Sequence, residues 1–323
     1  MMLQKIIFFW VLIMSLIMAI SSSYWFTLWI TLEINMMIFI PMMNSKNFLS
    51  SNSMMYYYII QSLSSSLFFF SSLMSFYYLN QIFSNIMLIS MLIKIGSAPF
   101  HTWYPQISEG LNYYPFLILS TLQKMIPLHV ISIINNHLIT FFILMSATIG
   151  SLGGFNQTSF KKILAFSSIS HLSWMFTLIL INQYYWLIYF LIYTTILFKI
   201  ISFLKTNNYL NIGDLNCMKT SIFNKLHLFS LFLSLGGLPP FIGFFSKWIS
   251  IIIINNKFPM ILIVLILSSL VNLFFYIRIM FPMIMNMNMI MKSPSMNSSF
   301  KTFNFLIINF MMIILIIPMM FLF

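Results

Sequence analysis

The residues in this sequence that could do chemistry are charges set into long apolar runs. Lys94, Lys124, Lys199, Lys247 and Arg278 all fall inside stretches otherwise apolar enough to cross a membrane, and one carboxylate, Glu33, joins them. Glu33, Lys94 and Lys124 lie near the middle of their stretches, where a charge costs at least ~2.5–3.5 kcal/mol and something must offset it. Lys199 and Arg278 lie near stretch ends, where a long side chain is expected to snorkel to the headgroups. Glu109 and Asp214 fall in loops, so Glu33 is the one carboxylate available to pair with Lys94 or Lys124. An ammonium withdrawn from water is disfavoured against the neutral amine, so a lysine without a permanent partner can both take and release a proton. Lysines sharing one carboxylate are then a proton switch; the alternative is a fixed structural ion pair. His171, mid-span among Ser167, Ser168, Ser170 and Ser173, and His101 are candidate relays, because imidazole titrates close to working pH. His129, His137 and His227 are expected to be structural, loop or interface residues.

The elements that must position these groups follow from composition. The 323 residues are 61% hydrophobic and 6% charged, with a mean hydropathy of +0.98, whereas a soluble domain carries roughly 25% charged residues. Such a chain is solvated by lipid, which permits only helices or closed barrels. The apolar runs lack in/out alternation and so predict helices. Segmenting at about 20 residues per span gives eleven, near 3–20, 24–43, 54–79, 82–104, 113–134, 138–155, 160–181, 184–205, 223–253, 258–281 and 302–323. The serine-rich third span predicts close helix packing rather than catalysis.

Charge placement supports that segmentation. With eleven spans, Lys5, Lys46, Lys161, Lys162, Lys205, Lys219, Lys225, Lys292 and Lys301 fall on the N-terminal side, and only Lys257 falls in a loop opposite. The positive-inside rule then puts the N-terminus in the matrix or cytoplasm, and makes the net charge of +12 a topology signal. Spans four and nine are each interrupted, by Lys94-Ile95-Gly96-Ser97-Ala98-Pro99 and by Leu235-Gly236-Gly237-Leu238-Pro239-Pro240, with Lys247 about two turns further on. An offset of five spans makes the two halves cross the membrane in opposite senses, the inverted repeat of many ion transporters. The expected organisation is one membrane domain over 1–323, with repeats at 1–135 and 136–285 and a linker and last helix over 286–323.

Other functions find little support. Cys217 is the sole cysteine, which leaves no internal disulfide and no four-cysteine iron–sulfur cluster. No G-x-G-x-x-G, P-loop or metal-ligand spacing is present, and no basic patch interleaved with aromatics suggests nucleic acid. Abundant Phe, Met, Ile, Asn and Ser suggest an AT-rich organellar genome. Lys5 and the apolar run to Ile20 resemble a signal peptide but lack a clear cleavage site, so this segment is expected to be a retained first span.

In combination and order, several stretches resemble one family: the antiporter-like chain 2 membrane subunits of mitochondrial NADH:ubiquinone oxidoreductase, complex I, in an invertebrate version. They are Leu32-Glu33-Ile34-Asn35, Lys94 to Trp103, Gln123-Lys124-Met125-Ile126-Pro127, Gly153 to Thr158, Ala165 to His171 and Leu235 to Trp248. The resemblance implies a subunit of the mitochondrial inner membrane lying between other membrane-arm subunits and lipids. It implies no redox cofactor in this chain, with NADH, flavin, iron–sulfur clusters and ubiquinone held by other subunits. It also implies a part in proton translocation, with Glu33 matching the family's helix glutamate, Lys94 its broken-helix lysine, Lys124 its central lysine and Lys247 its terminal lysine. Lys199 matches no family motif. A free-standing sodium/proton antiporter and a non-pumping structural spacer are the alternatives.

Overall fold

The computed structural model describes residues 2–45, 47–78, 80–181, 184–217 and 222–285. The expected last span at 302–323, and Lys46, Lys219, Lys292 and Lys301, lie outside them. Thirteen α-helices occupy the described residues: α1 (Met2–Ser21), α2 (Trp25–Met43), α3 (Phe48–Tyr77), α4 (Gln81–Ile95), α5 (Trp103–Gly110), α6 (Tyr113–Ser120), α7 (Leu122–Ile134), α8 (Ile139–Gly154), α9 (Phe160–Ile181), α10 (Tyr185–Thr206), α11 (Ile222–Gly236), α12 (Ile242–Asn255) and α13 (Pro259–Met285). A 3₁₀ turn, Ile212–Cys217, precedes α11, and one antiparallel bridge joins Ser159 to Asn211. Seven helical segments among the described residues are long and apolar enough to cross a membrane, and α4, α8 and α12 are shorter apolar helices.

The chain divides between Ser146 and Ala147 into two compact units. In the first, α3 packs against α2, α4 and α5, α1 against α2, and α4 against α7. The serines of α3 behave as packing residues: Ser50, Ser53, Ser64, Ser65, Ser71 and Ser72 are buried, and their hydroxyls donate to carbonyls of the preceding turn. A small, internally satisfied side chain lets backbones approach without presenting a polar group to hydrocarbon. Gly110 on α5 shows how close: a Cβ there would stand 2.6 Å from the Leu49 carbonyl oxygen.

In the second unit α9 is buried nearly all round, the pattern of a central helix. It packs against α10, α12 and α13, while α11 packs against α10, α12 and α13. A Cβ on Gly150 of α8 would lie 2.6 Å from the Ser170 amide nitrogen, so α8 and α9 touch backbone to backbone.

The two interruptions expected from sequence are present and share one geometry. At the end of α4, the Gly96 N–H donates to Ile93 and the Ser97 N–H to Leu92; at the end of α11, the Gly237 N–H donates to Ser234 and the Leu238 N–H to Leu233. Each is a Schellman ending, which needs a left-handed residue just past the helix. Gly96 and Gly237 supply it with φ of 74° and 75°. A third interruption was not expected: the 113–134 span is split at Thr121 into α6 and α7. Pro127 cannot donate to the Gln123 carbonyl, and just before that point the Thr121 hydroxyl and amide both turn back onto Leu117.

Candidate functional site

Lys94, Lys124 and Lys247 are buried, with 6%, 2% and 6% of their surface exposed. Each lies beside an interruption of a helix, where the last carbonyls or first amides lack intrahelical partners.

In the first unit Lys94 occupies the last turn of α4, the end at which the helix dipole favours a cation. The carbonyls freed by the break are taken by neutral donors: Gln61 Nε2 on α3 donates to the Lys94 oxygen at 3.1 Å, and Trp103 Nε1 donates to the Ile93 oxygen at 3.1 Å. The half-buried Glu33 on α2 interacts electrostatically with the Lys94 ammonium without closing into an ion pair among the described residues. Lys124 begins α7 and holds its Nζ 4.5 Å from the centroid of the Tyr104 ring on α5, a cation–π contact. Glu33 and Lys124 are linked through their neighbours, since Gln123 Nε2 donates to Asn35 Oδ1 at 3.0 Å and Tyr57 Oη donates to Gln123 Oε1 at 3.2 Å. His101 lies between α4 and α5, where its Nδ1 donates to the Pro99 oxygen at 3.2 Å.

In the second unit Lys247 reaches back from α12 to the end of α11, and its Nζ donates to the Gly236 oxygen at 2.7 Å. Its aliphatic stem lies against Gly237, where a Cβ would stand 2.6 Å from Lys247 Cδ. His171 on α9 is buried, with Nδ1 2.7 Å from Tyr189 Oη on α10 and its ring 4.9 Å from that of Tyr193. His171, Tyr189 and Tyr193 share a small pocket of about 10 Å³, the room of one water, with Ile196 and with Ser234, Leu235, Gly243 and Ser246 at the second break. One residue from His171, Ser170 Oγ accepts from Asn272 Nδ2 of α13 at 2.7 Å.

Sequence reasoning did not assign Tyr57, Gln61, Tyr104, Gln123 or Tyr189 a role. Tyr57 and Gln61 stand one helical turn apart on α3, and that spacing of polar groups in an apolar helix was the available signal. Arg278 does not simply snorkel: it donates through Nη1 to Phe155 O and through Nη2 to Gln157 O, the latter at 2.6 Å. Lys199 interacts electrostatically with the buried His227, and Lys225, placed with the loop lysines from sequence, lies in α11 with its side chain covered.

Apolar helices interrupted inside the fold, with cations sunk at the interruptions, define a polytopic membrane protein organised around buried charge. The family model described as NADH:quinone oxidoreductase/Mrp antiporter, transmembrane, matches residues 22–275. The NADH-ubiquinone oxidoreductase chain 2 of Anopheles gambiae is 40% identical over 300 residues, covering 86% of this chain and 85% of that protein. The chain 2 protein of Aedes aegypti is 38% identical over 354 residues, covering 96% of this chain and 97% of its own. Among solved structures, a chain of respiratory complex I from Thermus thermophilus superposes with a TM-score of 0.78 at 18% identity, covering 84% of this chain and 69% of that one. This chain belongs to the NADH:quinone oxidoreductase/Mrp antiporter membrane family, in its NADH-ubiquinone oxidoreductase chain 2 branch.

Proposed function

We propose that this chain is a core membrane-arm subunit of respiratory complex I in the mitochondrial inner membrane, and that it contributes to moving protons as NADH is oxidised and ubiquinone reduced in other subunits. One observation carries the reading: each unit buries a lysine beside a helix break, Lys94 in the last turn of α4 and Lys247 with its Nζ on the Gly236 oxygen at the end of α11, and both helices end in the same Schellman turn. In the second unit a cation held by a backbone carbonyl can be neutralised without stranding a carboxylate, which suits a group that must gain and lose a proton. Glu33, Lys94, Lys124 and Lys247 are the proposed relay, with His101 and His171 as intermediate stations. A shift in the Glu33–Lys94 interaction would alter the proton affinity of the lysines beyond it. The scale is adequate, because moving one charge against 100 mV takes about 2.3 kcal/mol, comparable to one buried pair.

The finer architecture proposed is eleven spans in two inverted five-helix repeats, 1–135 and 136–285, followed by a linker and last helix, with the N-terminus in the matrix. The shared backbone ending of α4 and α11 supports the repeat. Neighbouring membrane-arm subunits and lipids are the proposed partners, and the redox cofactors are assigned to other subunits.

Replacing Lys124 with Met in the assembled complex should lower the protons moved per NADH oxidised. Unchanged stoichiometry with normal NADH oxidation would remove Lys124 from the relay and favour the structural spacer. The family's Mrp branch supports a second reading, a free-standing sodium/proton antiporter. Separating mildly solubilised native membranes by particle size decides between them: a complex I subunit runs only with a very large NADH-oxidising particle, and a free-standing antiporter runs small without that activity.

A further inference from the structure

At one end of the second unit, α13 is fastened to two loops. Arg278 holds the carbonyls of Phe155 and Gln157, and the loop carrying them is tied to the loop after α10: the Phe160 N–H donates to Leu210 and the Ile212 N–H to Thr158, both at 3.0 Å. Between α13 and these loops opens a groove of about 570 Å³, walled by Phe274, Ile277, Phe281, Thr158 and Ile212, with Arg278 as its cation. Phe274, Ile277 and Phe281 are each about half exposed, so the groove presents aromatic and aliphatic faces along one side of a membrane-length helix.

The charge here is one-sided. Both Arg278 bonds go to neutral carbonyls, and among the described residues no carboxylate pairs with it. Lys161, Lys162 and Lys205 belong to the helix ends that these same loops join. The one acidic residue between 147 and 323 is Asp214, whose Oδ2 already accepts from the Leu210 and Asn211 amides at 2.7 and 2.8 Å. An apolar trough ending at a guanidinium that retains donors fits an amphiphile with an anionic head. A soluble anion would gain nothing from walls of phenylalanine and isoleucine. The volume falls within the ~300–1,000 Å³ of an ordinary small-molecule site, and juxtamembrane cations attract anionic lipid headgroups.

We propose that this groove binds one anionic phospholipid, its phosphate at Arg278 and an acyl chain laid along Phe274, Ile277 and Phe281. The proposal rests on membrane residence alone and is independent of the proton relay. The test uses the intact complex in native membrane, exposed to phospholipids carrying a diazirine on the acyl chain, in matched phosphatidylglycerol and phosphatidylcholine forms. After illumination the labelled peptides are mapped. The phosphatidylglycerol form should label the Phe274–Pro282 stretch several times more than the phosphatidylcholine form, and unlabelled phosphatidylglycerol, but not inorganic phosphate, should compete. Ile277→Trp fills the groove while leaving the Arg278 bonds, so it should abolish that labelling with the complex still assembled. Equal labelling by both forms would make the groove ordinary lipid contact, absence of labelling would mean another polypeptide fills it, and competition by phosphate would make it a soluble-anion site. Any of these, or full labelling of the Ile277→Trp complex, overturns the proposal.

Discussion

The three buried lysines beside the helix breaks have three different surroundings: Lys94 has the Glu33 carboxylate as its electrostatic partner, Lys124 an aromatic face, and Lys247 a carbonyl of the preceding helix. Truncating Lys247 to Met leaves the Gly236 oxygen buried without its donor, a loss of about 1–3 kcal/mol, whereas Lys247→Arg keeps a cation there. Thermal unfolding of the assembled complex should therefore fall for Met more than for Arg. Tyr189 Oη meets His171 Nδ1 at 2.7 Å, a hydrogen bond in which the hydroxyl can serve as donor or acceptor. Tyr189→Phe removes that partner and should cost about 1 kcal/mol of stability; if His171 relays protons, it should also lower protons moved per NADH with NADH oxidation unchanged. Loss of stability alone would leave Tyr189 a packing residue. At this scale the sequence revealed the charged groups, because a charge in an apolar run is conspicuous. It did not reveal their partners: Asn35 and Gln123 meet only when α2 and α7 are in place, and nothing local to either residue announces the contact.

The elements carry a different kind of constraint, since the breaks after α4 and α11 each depend on glycine at one position. Gly96 sits at φ 74°, and a Cβ there would also stand 3.0 Å from Tyr104 Cβ, so Gly96→Ala should cost roughly 1–2 kcal/mol in backbone alone. Gly243 is more confined: a Cβ would lie 1.6 Å from the Ser234 oxygen, so Gly243→Ala must push α12 away from α11 and carry Lys247 off the Gly236 carbonyl. Gly213 has nothing within 4 Å of the equivalent point and is the control. Complex assembly on native gels should drop for Gly243→Ala and stay normal for Gly213→Ala. The breaks at Gly96 and Gly237 were legible because glycine beside proline leaves a helix few options. The break at Thr121 was not, because threonine fits an apolar run and Pro127 lies further along. The Arg278 clamp was equally hidden, as a basic residue near a helix end looks the same whether it faces headgroups or holds a loop.

For the whole molecule, composition pointed to a lipid environment, the lack of in/out alternation to helices, and span length with the lysine distribution to an expected topology. That topology is testable directly: Lys5 and Lys257 are exposed and are expected on opposite sides. A membrane-impermeant amine reagent applied to vesicles with the inner membrane's outer face exposed should modify Lys257 and spare Lys5, and inverted vesicles should give the converse. Modification of both from one face would require a different number of crossings. The sequence holds only three acidic residues, and one of them, Glu33, is placed within the predicted spans. In the second unit it is the open end of α11 that stands opposite the Lys247 ammonium, where another protein would place an aspartate. A backbone carbonyl cannot be esterified, amidated or protonated away at physiological pH. A carbodiimide that consumes buried carboxylates would therefore have Glu33 as its target in the first unit and leave the counter-charge of Lys247 untouched.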